Sequence, residues 1–495
     1  MINDWLVKRC ELSPNKTALI DAESGERLTY KDLNFRAEAL AQYLKSFKLN
    51  SGDRVAILDY NSILHILLMF ALPRLGTAFL PLNFRLSPAE LSGIMEDSAP
   101  KLLFYGEEWA ETASKLDCSK TGTCPVKAAD AETAAAGGAG ITLPEAGLDI
   151  DPESPWMLLY TGGTTGSPKG AMLSHRMVTW NALNTIISWG LRPDDKIVMA
   201  MPFFHTGGIN VFTLPLLKLG GTVILMKSFD PDRYLELTEE EKATITFMVP
   251  TMYQLMADAD RFPETDLSSV RICITGGSPC PESLYHRYWE LGLPFKQGYG
   301  LTEAGPNCFS LDDEMIKDKI GSVGKAVFYG RARSVDDEGR EVKSGEIGEL
   351  ALSGPHLFSG YWQNRRATEE TIRDGWLYTG DLVRRDDDGY YYIVDRKKDM
   401  FISGGENVYP FEVESVLYRH PSVAEAAVIG IPHEKWGEVG RAYVVLHKGR
   451  TAEPKELIAF SKANLGRYKV PKEIIITNSL PKSPAGKIIK RELQK

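Results

Sequence analysis

The stretch from Tyr160 to Gly170, YTGGTTGSPKG, concentrates groups that hold anions. Gly162, Gly163, Gly166 and Gly170 let backbone N–H groups converge on one oxyanion. Thr161, Thr164, Thr165 and Ser167 add hydroxyl donors, and Lys169 adds a positive charge. The oxygens of a pyrophosphate suit such a set. The spacing is not that of the Walker loop, G-x-x-x-x-G-K-[ST], because Pro168 precedes Lys169 and Gly170 follows it. Taken alone, the stretch also makes a solvated hairpin turn, the more ordinary outcome for Gly-Thr-Ser composition.

The runs on either side, PWMLLY and GAMLSH, both read as extended, so the loop is expected to join two strands instead of feeding a helix N-terminus. The same reading extends along the chain. RVAILDY precedes a helix-like stretch, TAFLPLN follows as a strand, and LSPAELSGIMEDS opens on a Ser-Pro helix start. Such alternation predicts an α/β protein with largely parallel sheets. From about Asp117 to Pro155 the chain turns to alanine and glycine and is expected to be a surface connection, not a core element. WLYTGDLVRRDDDGYYYIVD reads as two strands about an Asp-Gly turn. Beyond Asp395 come the helix-like FEVESVLYRH, strands in EAAVIGI and RAYVVLH, the helix-like PKELIAFSKANL and a strand in EIIITN. This predicts domains at 1–395 and 396–495.

Bulk properties narrow the function classes. At 495 residues the chain exceeds what one core organises, and its 43% hydrophobic and 25% charged content is that of a globular protein. A formal net charge of -9 gives no global attraction to nucleic acid or anionic lipid, so no nucleic-acid partner is expected. MINDWLVKRCELSP has neither the basic start nor the apolar core of a secretory signal. The most apolar segment, from Ile63, is broken by His65, Pro73 and Arg74, so no transmembrane segment is expected, with peripheral membrane contact left open. Six cysteines without a C-x-x-C pair, and eight histidines without ligand spacing, argue for reduced thiols in a cytoplasmic protein and against structural zinc.

The loop occurs together with QGYGLTE, EIGELALSGP, WLYTGDL, DRKKDMFISGGENVYP and SPAGK, in that order. With these the chain closely resembles the adenylate-forming superfamily, from near its N-terminus to about Lys495. VYP after SGGEN, and IGIPHEKWGEVGRAYVV, resemble the acyl-CoA synthetases that act on fatty or related carboxylic acids. The resemblance implies a large N-terminal AMP-binding domain of several sheet-and-helix subdomains and a small mobile α+β C-terminal domain. It implies an ATP-dependent carboxylic acid–CoA ligase: the acid attacks the α-phosphate to give acyl-AMP and pyrophosphate, and coenzyme A then displaces AMP. Medium- or long-chain fatty acids are the expected substrates, with aryl acids of the succinylbenzoate, benzoate or cinnamate type, or transfer to a carrier protein, as alternatives. ATP, Mg2+ and coenzyme A are the implied small-molecule partners, and a homodimer is left open.

The family's roles carry over residue by residue. Thr161, Gly162, Gly163, Thr164, Thr165, Gly166 and Lys169 would hold the β- and γ-phosphates; many members have serine where this chain has Gly163, which removes a hydroxyl but keeps the N–H. Thr302 would contact the α-phosphate and Glu303 bind Mg2+, a hard cation suited to a carboxylate oxygen. Asp381 would bind ribose, with Arg396 as partner, and adenine would lie against Gly276, Gly277, Ser278 and the Gly298-Tyr299-Gly300 turn. Lys487 would bridge the carboxylate and the α-phosphate, although Ala485 stands where the family usually has threonine. His205, with Phe204 and Gly207, matches the position beside the acyl carboxylate, where a packing role is equally open. Lys398 aligns with the hinge about which the C-terminal domain turns, bringing Ser403, Gly404, Gly405 and Glu406 to the pantetheine path.

Overall fold

In the computed structural model the described residues are 4–137, 150–161, 168–278, 280–482 and 488–493. They form a mixed α/β large N-terminal domain followed by a small C-terminal domain.

Two parallel-type sheets make the body of the large domain. One has six strands: Cys124–Lys127, Leu102–Tyr105, Arg54–Leu58, Ala78–Pro81, Pro155–Thr161 and Lys169–Ser174, parallel until the last antiparallel pair. The other has seven: Phe295–Gln297, Ile272–Thr275, Ile245–Met248, Lys196–Met199, Thr222–Leu225, Thr17–Asp21 and Arg27–Thr29. Its N-terminal member pairs in parallel with a strand two hundred residues on, Leu19 opposite Val223. Burial on both faces explains the near-continuous apolar runs of such strands, as in ITFM and ICIT, where every residue is buried. An antiparallel sheet follows, with Arg331–Val335, Ile347–Ser353, Trp376–Arg385 and Tyr391–Arg396 among its members.

Helix Pro88–Ser98 starts where its sequence signal predicts. Ser87 closes a reciprocal capping box with Glu90 at the start of Pro88–Ser98. The apolar segment from Ile63 makes a helix only as far as Ala71, and Arg74 beyond it is almost wholly buried, paired with Asp4 at 2.8 Å and Glu38 at 3.1 Å. No helix among the described residues is long and apolar enough to cross a membrane.

One expectation fails. The alanine-rich segment is not a mere connection: Cys124–Lys127 is an edge strand, and helix Ala128–Ala136 buries Ala128, Ala131 and Ala135 in the main core. Small side chains on one helical face permit close packing, so low side-chain volume here goes with high burial.

Beyond Arg396 the small domain has its own sheet, Glu406–Val408, Phe401–Ser403, Gly437–Leu446 and Val423–His433, with Glu473–Ile476 parallel to Gly437–Leu446. Helices Pro410–Tyr418 and Pro454–Asn464 accompany it, and Val413, Leu417 and Leu457 close a core separate from that of the large domain.

Candidate active site

Two of the predicted segments follow the C-terminal ends of parallel strands in the large domain. Gly276 to Ser278 follow strand Ile272–Thr275, and Gly298 to Gly300 follow its neighbour Phe295–Gln297. C-terminal strand ends are where open α/β sheets bind ligands. Both turns need glycine: Gly277 sits at φ +83°, and a Cβ on Gly300 would lie 2.0 Å from the Pro306 carbonyl oxygen. Gly298 N–H donates to Thr275 O at 2.8 Å, which ties the two turns together.

Tyr299 hands this turn on to the antiparallel sheet. Its phenol donates to Asp381, and Arg396 Nε pairs with the other Asp381 oxygen at 2.6 Å. Burial, followed by the Asp381 charge, pushes the phenol well above its usual range, so it stays a donor. A carboxylate offers about four lone pairs, so Asp381 keeps acceptor capacity for adjacent hydroxyls.

Thr302 and Glu303 occupy the single 3-10 turn that follows, with Thr302 buried. The Glu303 backbone carbonyl accepts from Phe358 N–H at 2.8 Å, and its carboxylate accepts from the Tyr361 hydroxyl at 2.8 Å. A single hard carboxylate suits Mg2+ brought on a nucleotide better than a resident ion. No cluster of three or more metal-ligating side chains occurs among the described residues.

The loop that opened the sequence analysis does join two strands: Pro155–Thr161 and Lys169–Ser174 pair antiparallel, with Thr161 opposite Lys169 and Tyr160 opposite Gly170. The Thr161 hydroxyl is turned to Lys169 O at 3.4 Å, and Lys169 Nζ lies 5.2 Å from the centre of the Tyr361 ring. Gly162, Gly163, Thr164, Thr165 and Gly166, and Lys487 in the C-terminal tail, lie outside the described residues.

His205 and Gly207 sit at a second convergence. Gly207 N–H donates to His205 Nδ1 at 3.0 Å, so a neutral imidazole there carries its proton on Nε2. Residues Gly207–Val211 form a π turn, buried throughout, of the kind that concentrates at functional sites. Phe204 packs edge-on against Phe84 at 5.1 Å. This segment is pinned by Asn61, which donates to Met201 O at 2.9 Å and accepts from Phe203 N–H at 2.8 Å. The sequence reading missed Asn61, because in DYNS it looks like an ordinary turn residue.

In the small domain Ser403, Gly404, Gly405 and Glu406 form a two-residue hairpin turn, with φ +63° at Gly404 and +88° at Gly405. Trp436, also missed, lies over it: a Cβ on Gly404 would be 2.9 Å from the indole. Lys397 is anchored to the large domain through Asp337 at 2.7 Å and Glu349 at 3.0 Å. Lys398 is the next residue. Asp395 reaches forward instead, accepting from Phe411 N–H at 2.6 Å in the first turn of Pro410–Tyr418.

Comparison with known proteins gives this arrangement a lineage. The profile of the AMP-binding enzymes matches residues 6–362, and that of the AMP-binding enzyme C-terminal domain matches 412–487. A feruloyl-CoA synthase from Amycolatopsis sp is 42% identical over 494 residues, covering 100% of this chain and 98% of the relative. An indoleacetate–CoA ligase from Aromatoleum aromaticum is 36% identical, covering 100% and 97%. The crystal structure of ATP-bound MatB from Rhodopseudomonas palustris superposes with a TM-score of 0.90 at 33% identity, covering 100% of this chain and 98% of that one. With both domains matched and the likeness unbroken from end to end, the chain belongs to the AMP-binding enzymes, as an adenylate-forming acyl-CoA ligase that uses ATP and Mg2+ and takes coenzyme A as a substrate.

Proposed function

We propose that the acid activated by this ligase is an aryl acid, of the arylpropenoate or arylacetate kind. The observation that carries this reading is 42% identity along the whole chain to a feruloyl-CoA synthase, seconded by the indoleacetate–CoA ligase. Aromatic residues beside His205 support it, since an aryl ring packs edge-on or offset against Phe204 and Phe84 as these do against each other. Gly207 supports it as well: a side chain there would begin 3.1 Å from the His205 ring, and its absence leaves width for a planar group.

The chemistry follows from charge. A carboxylate oxygen attacks the α-phosphorus of ATP, an acyl–phosphate bond forms, and pyrophosphate leaves with the electron pair. Every participant is anionic, so the residues act mainly by electrostatic stabilisation and positioning. Lys169 and the donors of the 161–169 loop hold the β- and γ-phosphates, Thr302 the α-phosphate, and Asp381 with Arg396 the ribose. Glu303 would hold the Mg2+ brought with ATP, which would supply neutralisation of the phosphate charge. Lys487 draws the acid's carboxylate to the α-phosphate. In the second half the coenzyme A thiol attacks the acyl carbon and AMP leaves.

The domain boundary is taken at Asp395 and Arg396 with Lys398 as the hinge, a reading supported by the ion pairs that hold the preceding Lys397 to the large domain. Turning there would exchange Lys487 for the 403–406 turn, with Trp436 beside it as a wall for pantetheine.

The test is a panel of acids, ferulate, 4-coumarate, indoleacetate, benzoate, octanoate and palmitate, each supplied with ATP and coenzyme A. Arylpropenoates or arylacetates should give the highest kcat/KM. Preference for octanoate or palmitate would refute the aryl reading and return the chain to the fatty acids expected from its motifs. Lys487→Ala should suppress acyl-AMP formation far more than conversion of supplied acyl-AMP to the thioester. Equal losses in both would contradict the two-orientation scheme.

A further inference from the structure

We propose that Tyr361 is a positioning residue that couples the metal-binding carboxylate to the phosphate loop, so that the affinity for the divalent cation and the placement of Lys169 depend on one side chain. The proposal rests on the reading of Glu303 as the Mg2+ ligand.

Three observations carry it. Tyr361 Oη donates to Glu303 Oε1 at 2.8 Å, and among the described residues no other hydrogen bond reaches that carboxylate. The face of the same ring lies 5.2 Å from Lys169 Nζ, within reach of a cation–π attraction. The backbone around Tyr361 is stitched to the strand that carries Lys169: Met172 N–H donates to Gly360 O at 2.9 Å, Trp362 N–H to Gly170 O at 2.7 Å, and Ala171 bridges Tyr361.

The residue is held independently of both partners: its backbone N–H donates to Thr368 Oγ1 at 2.9 Å, and its ring packs edge-on against Phe358 at 4.9 Å. Phe358 N–H also holds the Glu303 carbonyl at 2.8 Å, so the 358–361 segment grips Glu303 at main chain and side chain together. The consequence is specific. With one carboxylate oxygen occupied by a neutral donor, Glu303 presents the other to the cation in a fixed direction, as a one-oxygen ligand. A small octahedral cation that keeps most of its waters needs that geometry. The ring meanwhile fixes how far Lys169 sits from the carboxylate, which keeps the two opposite charges from collapsing onto each other before the nucleotide arrives.

The experiment uses the full-length protein in excess over α,β-methylene-ATP, so that nearly all nucleotide is bound, with Mn2+ as the probe and free Mn2+ read by electron paramagnetic resonance; nucleotide affinity is measured separately by equilibrium dialysis. Tyr361→Phe keeps the ring and loses the hydroxyl. It should weaken Mn2+ binding about tenfold, the effect of losing a hydrogen bond to a charged group, with nucleotide affinity unchanged. Tyr361→Leu loses the ring as well and should, unlike Tyr361→Phe, weaken nucleotide binding about threefold. In a Glu303→Gln background the Phe substitution should no longer change Mn2+ affinity. A role confined to packing would lower melting temperature without this pattern.

Wild-type Mn2+ affinity in Tyr361→Phe, or an equal effect with and without Glu303→Gln, overturns the proposal. Equal nucleotide affinity in the Phe and Leu variants overturns its Lys169 half. If Glu303→Gln itself leaves Mn2+ binding intact, the reading of Glu303 as ligand fails instead, which separates the two failures.

Discussion

Replacing Gly300 by alanine tests whether the turn beside Tyr299 is built to tolerance. The added methyl carbon would stand 2.0 Å from the Pro306 carbonyl oxygen, 2.3 Å from its carbon and 2.7 Å from its Cα, all backbone atoms with no rotamer to yield. To reach the 3.4 Å of ordinary contact, residues 300 and 306 must separate by about 1.4 Å. Cys308 N–H is bonded to Tyr299 O at 3.0 Å across the same narrow loop, so the displacement falls on the turn between, which carries Thr302 and Glu303. Overpacking of this kind costs roughly 1–3 kcal/mol of stability. A misplacement of about 1 Å in a catalytic group costs about a hundredfold in rate. The control is Gly93→Ala, the same chemical change in the exposed part of helix Pro88–Ser98, where nothing lies within 4 Å. It should stabilise by about 0.8–1 kcal/mol through helix propensity and leave activity alone. Both variants are read by urea denaturation and by acid-dependent exchange of labelled pyrophosphate into ATP. Exchange at the wild-type rate in Gly300→Ala would refute the reasoning, because the turn would then accommodate a methyl group 2.0 Å from the Pro306 carbonyl oxygen.

The buried carboxyl of Asp395 is pushed up to about 6 from an ordinary 3.8, chiefly by burial, with Lys490 and the Phe411 N–H pulling the other way. Because the folded state holds this proton more tightly than the unfolded chain does, its contribution to stability is full below about pH 4 and is lost as pH rises through about 6. Asp395→Asn should flatten that part of the stability profile in pH-dependent denaturation, and an unchanged slope would count against the assignment. Arg74→Ala should cost about 3–5 kcal/mol in urea denaturation, since it strands Asp4 and Glu38 as buried charges. A loss under about 1 kcal/mol, typical of an exposed pair, would show that water reaches them.

The parts of the molecule legible from sequence are those whose cause is local. Strand Arg54–Leu58 and helix Pro88–Ser98 follow from apolar runs, β-branched residues and a Ser-x-x-Glu start, and the pairing of Pro155–Thr161 with Lys169–Ser174 follows from two extended runs flanking glycines. Partnerships set by topology were not legible. Asn61 supports a segment 140 residues away and Tyr361 meets Glu303 across 58, and neither residue type announces this. The alanine-rich helix was misjudged because the reading weighed side-chain size, whereas the core there needed small residues. Trp436 went unnoticed because its significance is its place over Gly404, which only the pairing of two hairpins creates.

The N-terminal strand Thr17–Asp21 has consequences for how the protein is made. Its parallel neighbour is Thr222–Leu225, and the elements beside it are bound to the same late region, Arg9 through Lys218 O and Tyr30 through Gly221 O. A chain emerging from the ribosome therefore carries an apolar strand, TALID, whose edge stays open until some two hundred further residues have been synthesised. Pairings this distant form slowly and leave unsatisfied strand edges exposed to other nascent chains. The residues of this strand are thus made well before the neighbour that completes their burial, and a polypeptide interrupted before Thr222 lacks that partner.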